Sequence, residues 1–521
     1  MDEAASSAAS HRRVAKAALL VMAAFTVSRL LGLVRQVVFG AYFGTGPEMD
    51  AYVAAQRLPE MIFLVVAGGA LGSAFIPTFT GRLALGERAR AWRLASSIIN
   101  LLIVLLVPIS AAAIAAAPWL VRTLIAPALP PEVQMRTAEL MRVMLLSTTI
   151  FAVSGVVMGI LNGHQHFLLP ALAPILYNVA LIVGAIWGAH GGMGAMGAAI
   201  GMVVGAVLHL LVQVPGLIRY HARYTPTLGL GDEDVREVGR LMLPRVFGVA
   251  AVQINLVITN NLASRLGMGA ISALDYAWRL MLLPQGVFAQ AVGTAVFPTF
   301  SEQAARGDLA ALRETLRAMV RIVVVLMLPA TVGLVVLGEP LIALFFQRGA
   351  FGATSTRAVA WALAFFALGL TGHSLIEILA RAFYALHDTW TPALTAAMAV
   401  GVNVGLGLLL PPLFRRAGMP AHAGLALANA LAALVEMGWL LRQMERRLGG
   451  LGGLADGVFR AGLASLLMGG AVWLTLRFLP PAAWLQSLVG VGVGIAAYAL
   501  AAQALGIDEL RQAVKLVLRK R

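Results

Sequence analysis

The sequence predicts an all-α polytopic membrane protein with about fourteen transmembrane helices. Of its 521 residues 60% are hydrophobic and only 12% are charged, which is too few charges to cover a soluble protein of this length. Apolar runs of about twenty residues, the length that crosses a bilayer as a helix, recur along the whole chain. Strand-like alternation is absent, which argues against a membrane β-barrel. A long internal repeat, described below, divides the helices into two sets.

The apolar runs predict the helices in chain order. Residues 1–16 form a short, polar, basic segment, and the run behind it is long enough to be a first spanning helix and not a cleaved signal. The predicted spans are 17–40, 58–80, 96–121, 138–162, 168–190, 194–218, 240–262, 271–298, 318–345, 357–384, 391–412, 420–441, 457–478 and 482–505.

Basic residues are concentrated in alternate loops and at both ends of the chain. By the positive-inside rule these segments are cytoplasmic, which predicts a multi-pass protein of the bacterial cytoplasmic (inner) membrane with both termini inside. The net charge of +15 therefore indicates membrane orientation and not nucleic-acid binding. Residues 506–521 are predicted to form a basic amphipathic helix on the inner leaflet.

The sequence repeats itself at a nearly constant offset. The segment around Pro77 recurs around Pro298, and at almost the same separation Arg57 recurs as Arg279 and Pro170 recurs as Pro392. Each repeat holds six helices, an even number, so the two have the same orientation and enclose a central cavity between parallel lobes. We therefore predict an N-lobe (17–218), a cytoplasmic loop (219–239), a C-lobe (240–441), two extra C-terminal helices (442–505) and the cytoplasmic tail.

Several kinds of chemistry have no support in the sequence. Hydrolase, kinase, P-loop and metalloprotease motifs are absent, and the lack of cysteine excludes disulfides and thiolate metal sites. His164 and His166 lie close together, but zinc requires three or four ligands. The protein is predicted not to be an enzyme and to use no cofactor, metal or nucleic acid.

Two arginines lie within the first apolar run. An arginine at the bilayer centre costs about 2.5–3.5 kcal/mol on insertion scales, so it usually faces a cavity or a partner. Arg29 and Arg35 differ by about 9 Å in height and by about 120° around the helix axis. They are predicted to line a wide, hydrated cavity at two depths, and an internal salt bridge is the alternative.

Three more charged residues are candidates for the same site. Arg57 and Arg279 lie near the start of the equivalent helix in each repeat, although Arg279 follows Asp275 by four positions and an intrahelical pair is an alternative. Asp50 is either part of the site or the cap of the second helix. The site is thus cationic, and guanidinium groups suit diphosphates and carboxylates. A drug/cation antiporter would need buried acids instead.

Other patterns indicate structural roles. Glu377 and Arg381 form an i,i+4 pair. The G-x-x-x-G motifs are predicted to be close-packing surfaces between helices. They are Gly40/Gly44, Gly155/Gly159 and Gly401/Gly405.

Six segments, spread over the first twelve helices, resemble the signatures of the MurJ/MviN family of lipid II flippases. This family belongs to the multidrug/oligosaccharidyl-lipid/polysaccharide exporter superfamily. The matching segments are Ser28–Arg35, Phe43–Gly44, Asp50–Ala51, Tyr276–Leu280, Phe346–Phe351 and Arg381–Pro392.

The resemblance implies export of the undecaprenyl-diphosphate-linked peptidoglycan precursor, lipid II, from the inner to the outer leaflet by alternating access. It also implies two six-helix lobes and a C-terminal helix pair that forms a groove for the lipid tail. Family positions that match Arg29, Arg35, Asp50 and Arg279 are functionally important in a central cavity.

The sequence departs from the family pattern at several positions. Phe63 stands where the second helix usually has a cavity arginine, and Arg57, one and a half turns earlier, is a candidate to supply that charge. Gln36, Gly68 and Asn260 stand where acids are expected.

Two rival functions share these features. One is a flippase for another polyprenyl-diphosphate-linked glycan, of the O-antigen or capsule type, and the other is a non-transporting membrane scaffold derived from a flippase. Transport would draw on the membrane potential or an ion gradient. The predicted partners are lipid II and membrane lipids. The protein itself is predicted to be monomeric and to contact the cell-wall synthesis machinery.

Overall fold

The computed structural model describes residue 24 and residues 26–65 and 74–507, with only the backbone at 243–245, 247, 248 and 251. All regular structure in these ranges is helical, as the sequence predicts. The predicted N-terminal segment 1–16, the start of the first helix and nearly all of the predicted basic tail 506–521 lie outside the described residues.

The helices of the first half are α1 (26–43), α2 (Pro47–Phe63), α3 (Ile76–Ala84), α4 (Arg88–Ala115), α5 (Ala117–Leu120), α6 (Pro131–Gly163), α7 (Leu168–His190), α8 (Ala195–Leu211), α9 (Val214–Arg219) and α10 (Glu233–Ser264). The second half contains α11 (Ala270–Pro284), α12 (Gln290–Ala305), α13 (Leu309–Phe346), α14 (Ala353–Ala367), α15 (Leu370–Ala385), α16 (Trp390–Arg416), α17 (Ala421–Leu448), α18 (Leu454–Phe478) and α19 (Ala483–Ala504).

Several helices begin well before the apolar run that predicted them. The second helix starts at Pro47 and not at 58, and α13 starts at Leu309 and not at 318. Hydropathy detects only the part of a helix that is apolar, whereas backbone hydrogen bonding continues through polar turns. Charged first turns, such as Glu48 and Asp50 in α2, belong to these extensions because acids stabilise a helix N-terminus.

Among the described residues, ten helices are long and apolar enough to cross a membrane, or eleven if α14 and α15 form one span. These two are bent by 46° at their junction, where a Cβ at Gly369 would lie 2.7 Å from the Cα of Ala430. The other three predicted spans, 17–40, 58–80 and 240–262, each include positions whose backbone or side chains are outside the described part of the chain.

The chain forms two compact units, Met1–Met268 and Gly269–Arg521. The boundary follows α10, whereas the sequence predicts that this helix belongs to the second lobe. Contacts at both ends of α10 explain its place in the first unit. Asp234 in its first turn is fully buried between Arg82 and Arg90, at 2.6 Å and 2.9 Å. Near its other end Asn260 donates a hydrogen bond to the carbonyl of Ile125 (2.9 Å).

The segment that precedes α10 is hydrogen-bonded to side chains of α4. Ser96 accepts a hydrogen bond from the backbone N–H of Thr225 at 3.1 Å. The Asn100 amide donates to the carbonyls of Thr227 at 2.9 Å and Thr225 at 3.3 Å, and its oxygen accepts from the Tyr224 hydroxyl at 2.7 Å. These neutral side chains satisfy the backbone polar groups of the segment at this point.

The repeat in the sequence has a structural counterpart at α4 and α13. Each helix follows a glycine with positive φ, Gly86 at 78° and Gly307 at 70°. Each helix begins two residues after its glycine, so Arg88 and Leu309 are equivalent positions. They are separated by the same number of residues as Pro77 and Pro298 of the repeat. Position-by-position comparison of these two helices is therefore well defined.

Very close helix packing occurs between α7 and α8. A Cβ at Gly188 would lie 2.7 Å from the Cα of Gly197, and one at Gly184 would lie 2.8 Å from the Cα of Gly201. These glycines are not among the predicted motifs, although both pairs, Gly184/Gly188 and Gly197/Gly201, have the G-x-x-x-G spacing. Only glycine permits such an approach of two backbones.

The three motifs chosen from the sequence behave differently from one another. Gly159 packs closely, as predicted, since a Cβ at this position would lie 3.3 Å from side-chain atoms of Phe75 and Ile76. Gly44 instead ends α1 with a φ of 59°. The prediction is wrong for Gly401 and Gly405, because no described atom lies within 4 Å of a Cβ at either position. Spacing alone does not reveal which helix faces another helix.

Candidate functional site

The two arginines of α1 have different surroundings. Arg29 is exposed, next to the exposed Leu30, whereas Arg35 is half-buried and its Nε is buried without a hydrogen-bond partner among the described residues. One turn further on, Phe39 packs edge-on against Tyr52 of α2 at 5.0 Å. Arg35 is therefore close to the α1–α2 contact, and Arg29 lies away from it by more than a helical turn.

Asp50 lies in the first turn of α2, and Arg57 lies further along the same helix. Asp50 is fully buried and takes part in a polar interaction. The N-cap residue is Gly46 and no side chain caps this helix, so the capping alternative for Asp50 is wrong. Arg57 NH1 lies 3.8 Å from Glu60 Oε2, and 15% of the Arg57 side chain is exposed. Four of the five predicted site residues thus lie on α1 and α2 of the first unit.

Phe63 occupies the position where the family pattern has an arginine, and it belongs to an aromatic cluster. Its ring lies 5.7 Å from that of Phe151, which in turn contacts Tyr177 at 5.0 Å and His209 at 5.6 Å. His209 also forms a hydrogen bond with Ser154 at 2.7 Å. A guanidinium at position 63 would have to be desolvated among these rings, which explains why an apolar residue fits here.

The fifth predicted residue, Arg279, lies in α11 of the second unit and forms the intrahelical pair that the sequence allowed. Its Nε is 2.6 Å from Asp275 Oδ2 and its NH2 is 3.4 Å from Oδ1. The Asp275 side chain is 3% exposed and that of Arg279 is 33% exposed. The carboxylate is thus buried while part of the Arg279 side chain remains accessible, so the pair does not exclude a contact with an anion.

Arg381 has the structural role that the sequence indicated. It pairs with Glu377 at 2.7 Å and donates a hydrogen bond to Thr294 Oγ1 on α12 at 3.1 Å. A Cβ at Gly293 would lie 2.6 Å from Arg381 NH1. The absence of a side chain at Gly293 therefore lets this guanidinium lie against the α12 backbone.

Two acidic residues were missed by the sequence analysis. Glu48 accepts hydrogen bonds from Arg136 Nε (3.3 Å) and from the backbone N–H of Ala195 (2.8 Å), and Arg136 also donates to the Met193 carbonyl. This network ties α2 and α6 to the turn before α8. Glu436 is half-buried in the middle of α17. A lone acid in an apolar helix is a signal that could have identified it.

The histidines considered as metal ligands are packed in an aromatic cluster. The His164 ring stacks on Trp92 at 5.9 Å and lies 4.3 Å from that of Tyr220, which also contacts His166. Its Nδ1 is hydrogen-bonded to the Ile160 carbonyl at 2.9 Å. Within the described ranges no three acidic or histidine side chains come together as a metal site requires.

Asp388, in the turn between α15 and α16, is held by three groups. Thr391 donates two hydrogen bonds to it, from its N–H (2.9 Å) and its hydroxyl (2.6 Å), and Arg447 forms an ion pair with it. Burial alone would raise the pKa of Asp388, but the Thr391 hydrogen bonds and the Arg447 charge together lower the pKa below its ordinary value.

This lowered pKa predicts a pH-dependent contribution to stability. The contribution is fully present above the unfolded carboxyl pKa of about 3.9 and is lost as the pH falls through the lower folded pKa. We expect Asp388→Asn to lower the thermal midpoint by about 1–2 °C at pH 7, and the difference to shrink toward pH 2.5. Glu314→Gln, at a side chain that is 72% exposed, is the control. A deficit that stays constant over this range would contradict the prediction.

Comparisons with known proteins identify the family. The family model for "Lipid II flippase MurJ" matches residues 39–493. A protein of Burkholderia cenocepacia named lipid II flippase MurJ is 32% identical over 88% of this chain and 90% of its own length. A probable lipid II flippase MurJ of Vibrio cholerae is 29% identical over 92% of this chain and 94% of its own. The chain belongs to the MurJ family of lipid II flippases.

Solved structures agree with this assignment. A lipid II flippase MurJ in an inward closed conformation matches 94% of this chain and 100% of its own, with a TM-score of 0.79 and 26% identity. An inward-facing multidrug transporter of the MATE family matches 83% of this chain and 98% of its own, with a TM-score of 0.70 and 18% identity. The second likeness shows a shared fold only. The chain is a multi-pass protein of the bacterial inner membrane.

Proposed function

We propose that this protein translocates lipid II, the undecaprenyl-diphosphate-linked peptidoglycan precursor, from the inner to the outer leaflet of the cytoplasmic membrane by alternating access. The observation that carries the proposal is the family match over residues 39–493. The inward-closed flippase whose fold this chain shares supports the same mechanism. The flippase acts as a transporter and not as an enzyme.

Arginines are the residues that would bind the diphosphate. Arg35 has a buried Nε that no described group satisfies, and Arg279 keeps a third of its side chain accessible while Asp275 holds its other side. Both arrangements suit a guanidinium that donates two parallel hydrogen bonds to phosphate oxygens. Arg29 and Arg57 add positive charge, and Asp50 orients its neighbours.

The proposed layout follows the sequence repeat. Fourteen transmembrane helices form two parallel six-helix lobes, and the last pair, α18 and α19, forms a groove for the lipid tail. Both termini are cytoplasmic and the protein acts as a monomer in contact with the cell-wall synthesis machinery. The membrane potential would drive transport, because moving one charge across it is worth about 2.3 kcal/mol per 100 mV. An ion gradient is the other driving force.

The test is complementation in a host whose own lipid II flippase can be depleted. We expect the wild-type protein to restore precursor to the outer leaflet, and Arg29→Ala and Arg35→Ala to reduce it at least tenfold at equal membrane levels. Arg122→Ala, at an exposed position outside the proposed site, is the control and should rescue fully. Good membrane insertion without any rescue would overturn the proposal. Export of a different polyprenyl-diphosphate glycan would then assign the rival substrate.

A further inference from the structure

Two neighbouring segments of the second unit are broken. The α14–α15 pair bends by 46° at its junction, and a π-helical turn, Gln285–Ala289, connects α11 to α12 and packs against α15. At the bend, Gly369 N–H donates to the Phe366 carbonyl at 2.9 Å, and the i,i+4 pattern resumes with His373 N–H and the Gly369 carbonyl. A broken helix in a membrane needs neighbouring helices, side chains or ordered water to satisfy its freed backbone groups.

Four side chains of this region have a buried oxygen atom without a hydrogen-bond partner among the described residues. They are Gln285 in the π-helical turn, Thr331 in α13, and Thr371 and Ser374 in the first two turns of α15. Thr331 and Ser374 are only 8% and 0% exposed. Within a helix such hydroxyls can donate to the carbonyl four residues earlier, as Thr395 does at 3.1 Å. Buried polar groups without a partner are rare, so these four require an explanation.

The π-helical turn lies opposite the start of α15. Arg381 on α15 donates to Thr294 on α12 at 3.1 Å, and the rings of Trp278 on α11 and Phe366 on α14 are 5.4 Å apart. Both contacts join residues at almost the same separation in the sequence, so the two segments run parallel. At that separation Gln285 is level with the first turn of α15.

The hydroxyls of α13 and α15 face the same level. Ser374 precedes Arg381 by two helical turns and therefore shares the face of α15 that meets α12. Thr331 precedes Gly338 by two turns on α13, and a Cβ at Gly338 would lie 3.5 Å from Leu363 of α14. Because α13 and α14 are joined by a short loop and run antiparallel, Thr331 faces the junction of α14 and α15.

The first unit contains the same helix without the break. α6 has the same length as the α14–α15 pair, precedes it by the separation of the repeat, and is continuous. At this separation Gln285 and Ser374 correspond to Phe63 and Ala152, whose side chains form no hydrogen bonds. Two of the four polar positions are thus apolar where the helix is unbroken.

The chemistry of the four oxygen atoms suits water. Three belong to hydroxyls, whose hydrogens need an acceptor, and a cation offers none. The amide oxygen of Gln285 needs a donor. Water is both donor and acceptor, and a buried water molecule makes about three hydrogen bonds. We propose that Gln285, Thr331, Thr371 and Ser374 bind a cluster of buried water molecules, which completes the hydrogen bonding of the α14–α15 break, and that this hydrated break is a hinge.

The hinge follows from the position of the two breaks. They lie at one level, so the parts of the two segments that precede them can move together. Hydrogen bonds through water are nearly as strong as direct ones and need not keep one fixed geometry, so a change of bend angle costs little. The hinge rests on the proposed alternating-access transport, whereas the water site does not.

A double-mutant cycle on the thermal midpoint of the full-length protein in detergent tests the water site. A hydroxyl that binds water loses this interaction in Ser374→Ala, so we expect the midpoint to fall by about 2–4 °C. Ser374→Ala and Thr331→Val share the cluster, and we expect their effects to deviate from additivity by about 2 °C. Thr395→Val, whose hydroxyl is bonded within its own helix, is the control and should be additive with Ser374→Ala.

Three results would overturn the water site. A higher midpoint in Ser374→Ala would mean that its hydroxyl is unsatisfied, because removing a buried polar group without a partner stabilises a protein. Additive effects of Ser374→Ala and Thr331→Val would show that no cluster connects them. A wild-type midpoint that is higher in sodium chloride than in choline chloride, with no such difference in Ser374→Ala, would assign a cation instead.

The hinge is tested by transport in the flippase-depleted host. We expect Thr331→Val/Ser374→Ala to restore at least threefold less outer-leaflet precursor than wild type at equal membrane levels, and Thr395→Val to match wild type. Full transport by the double variant would overturn the hinge and leave the water site standing. Failure of the wild-type protein to transport would overturn the proposed function, and the thermal cycle would still decide the water site.

Discussion

Replacing Arg279 with alanine is expected to abolish transport and to destabilise the protein by about 3 kcal/mol. The Asp275 carboxylate is 3% exposed and lies 2.6 Å from Arg279 Nε. Without the Arg279 charge this buried carboxylate would lose its ion-pair partner, which is a costly change in a protein interior. Arg279 is also one of the arginines proposed to bind the diphosphate.

A second variant separates the two effects. Asp275→Asn/Arg279→Gln removes both charges and keeps side chains that form a hydrogen bond at the i,i+4 spacing. We expect its stability to return to within about 1 kcal/mol of wild type while transport stays lost. Arg265→Ala, at an exposed arginine of the first unit, is the control for loss of a single charge. Transport by the double variant would show that Arg279 has only a structural role.

The second large effect is expected in the α7–α8 contact. Gly188→Ala should destabilise the protein by at least about 3 kcal/mol, because overpacking a tight contact commonly costs this much when only backbone can yield. A Cβ at Gly188 would lie 2.5 Å from the Gly194 carbonyl oxygen and 2.7 Å from the Gly197 Cα. Neither neighbour is a flexible side chain, so the two helices would have to separate.

Gly401→Ala is the matched control for this change. Gly401 is exposed, and no described atom lies within 4 Å of its Cβ position. Alanine is favoured over glycine inside a helix by about 1 kcal/mol, so this variant should be neutral or slightly stabilising. The comparison uses the yield of membrane-inserted protein and the thermal midpoint in detergent. Similar losses in both variants would contradict the packing argument.

Much of the architecture could be predicted because the signal is repeated along the chain. Each apolar run reports a helix independently of its neighbours, and each of the fourteen predicted spans overlaps a helix of the described chain. Helix ends were less accurate, as at Pro47 of α2, because charged first turns remain helical outside the apolar run. The bend between α14 and α15 at Gly369 was not predicted either, since it lies where α17 comes close to this glycine.

The candidate site was predictable only in part. Charges in apolar helices stand out in a sequence, which is why Arg35, Asp50 and Arg279 could be named. Their partners could not be assigned in the same way. Asp50 had two interpretations until its place four residues after the N-cap removed one of them. Glu436 was overlooked although it carries the same kind of signal.

The sequence by itself determined the helical membrane class, the repeat and the family resemblance, because these depend on residue types along one dimension. Only the tertiary structure decided that Arg279 is paired with Asp275 and that the glycines of α7 and α8 are in contact. It also decided that a Cβ at Gly401 or Gly405 of α16 would meet no described atom of another helix. The helical period shows which residues share a face, but not which neighbouring helix that face meets. The burial and partners of each charge follow from that neighbour.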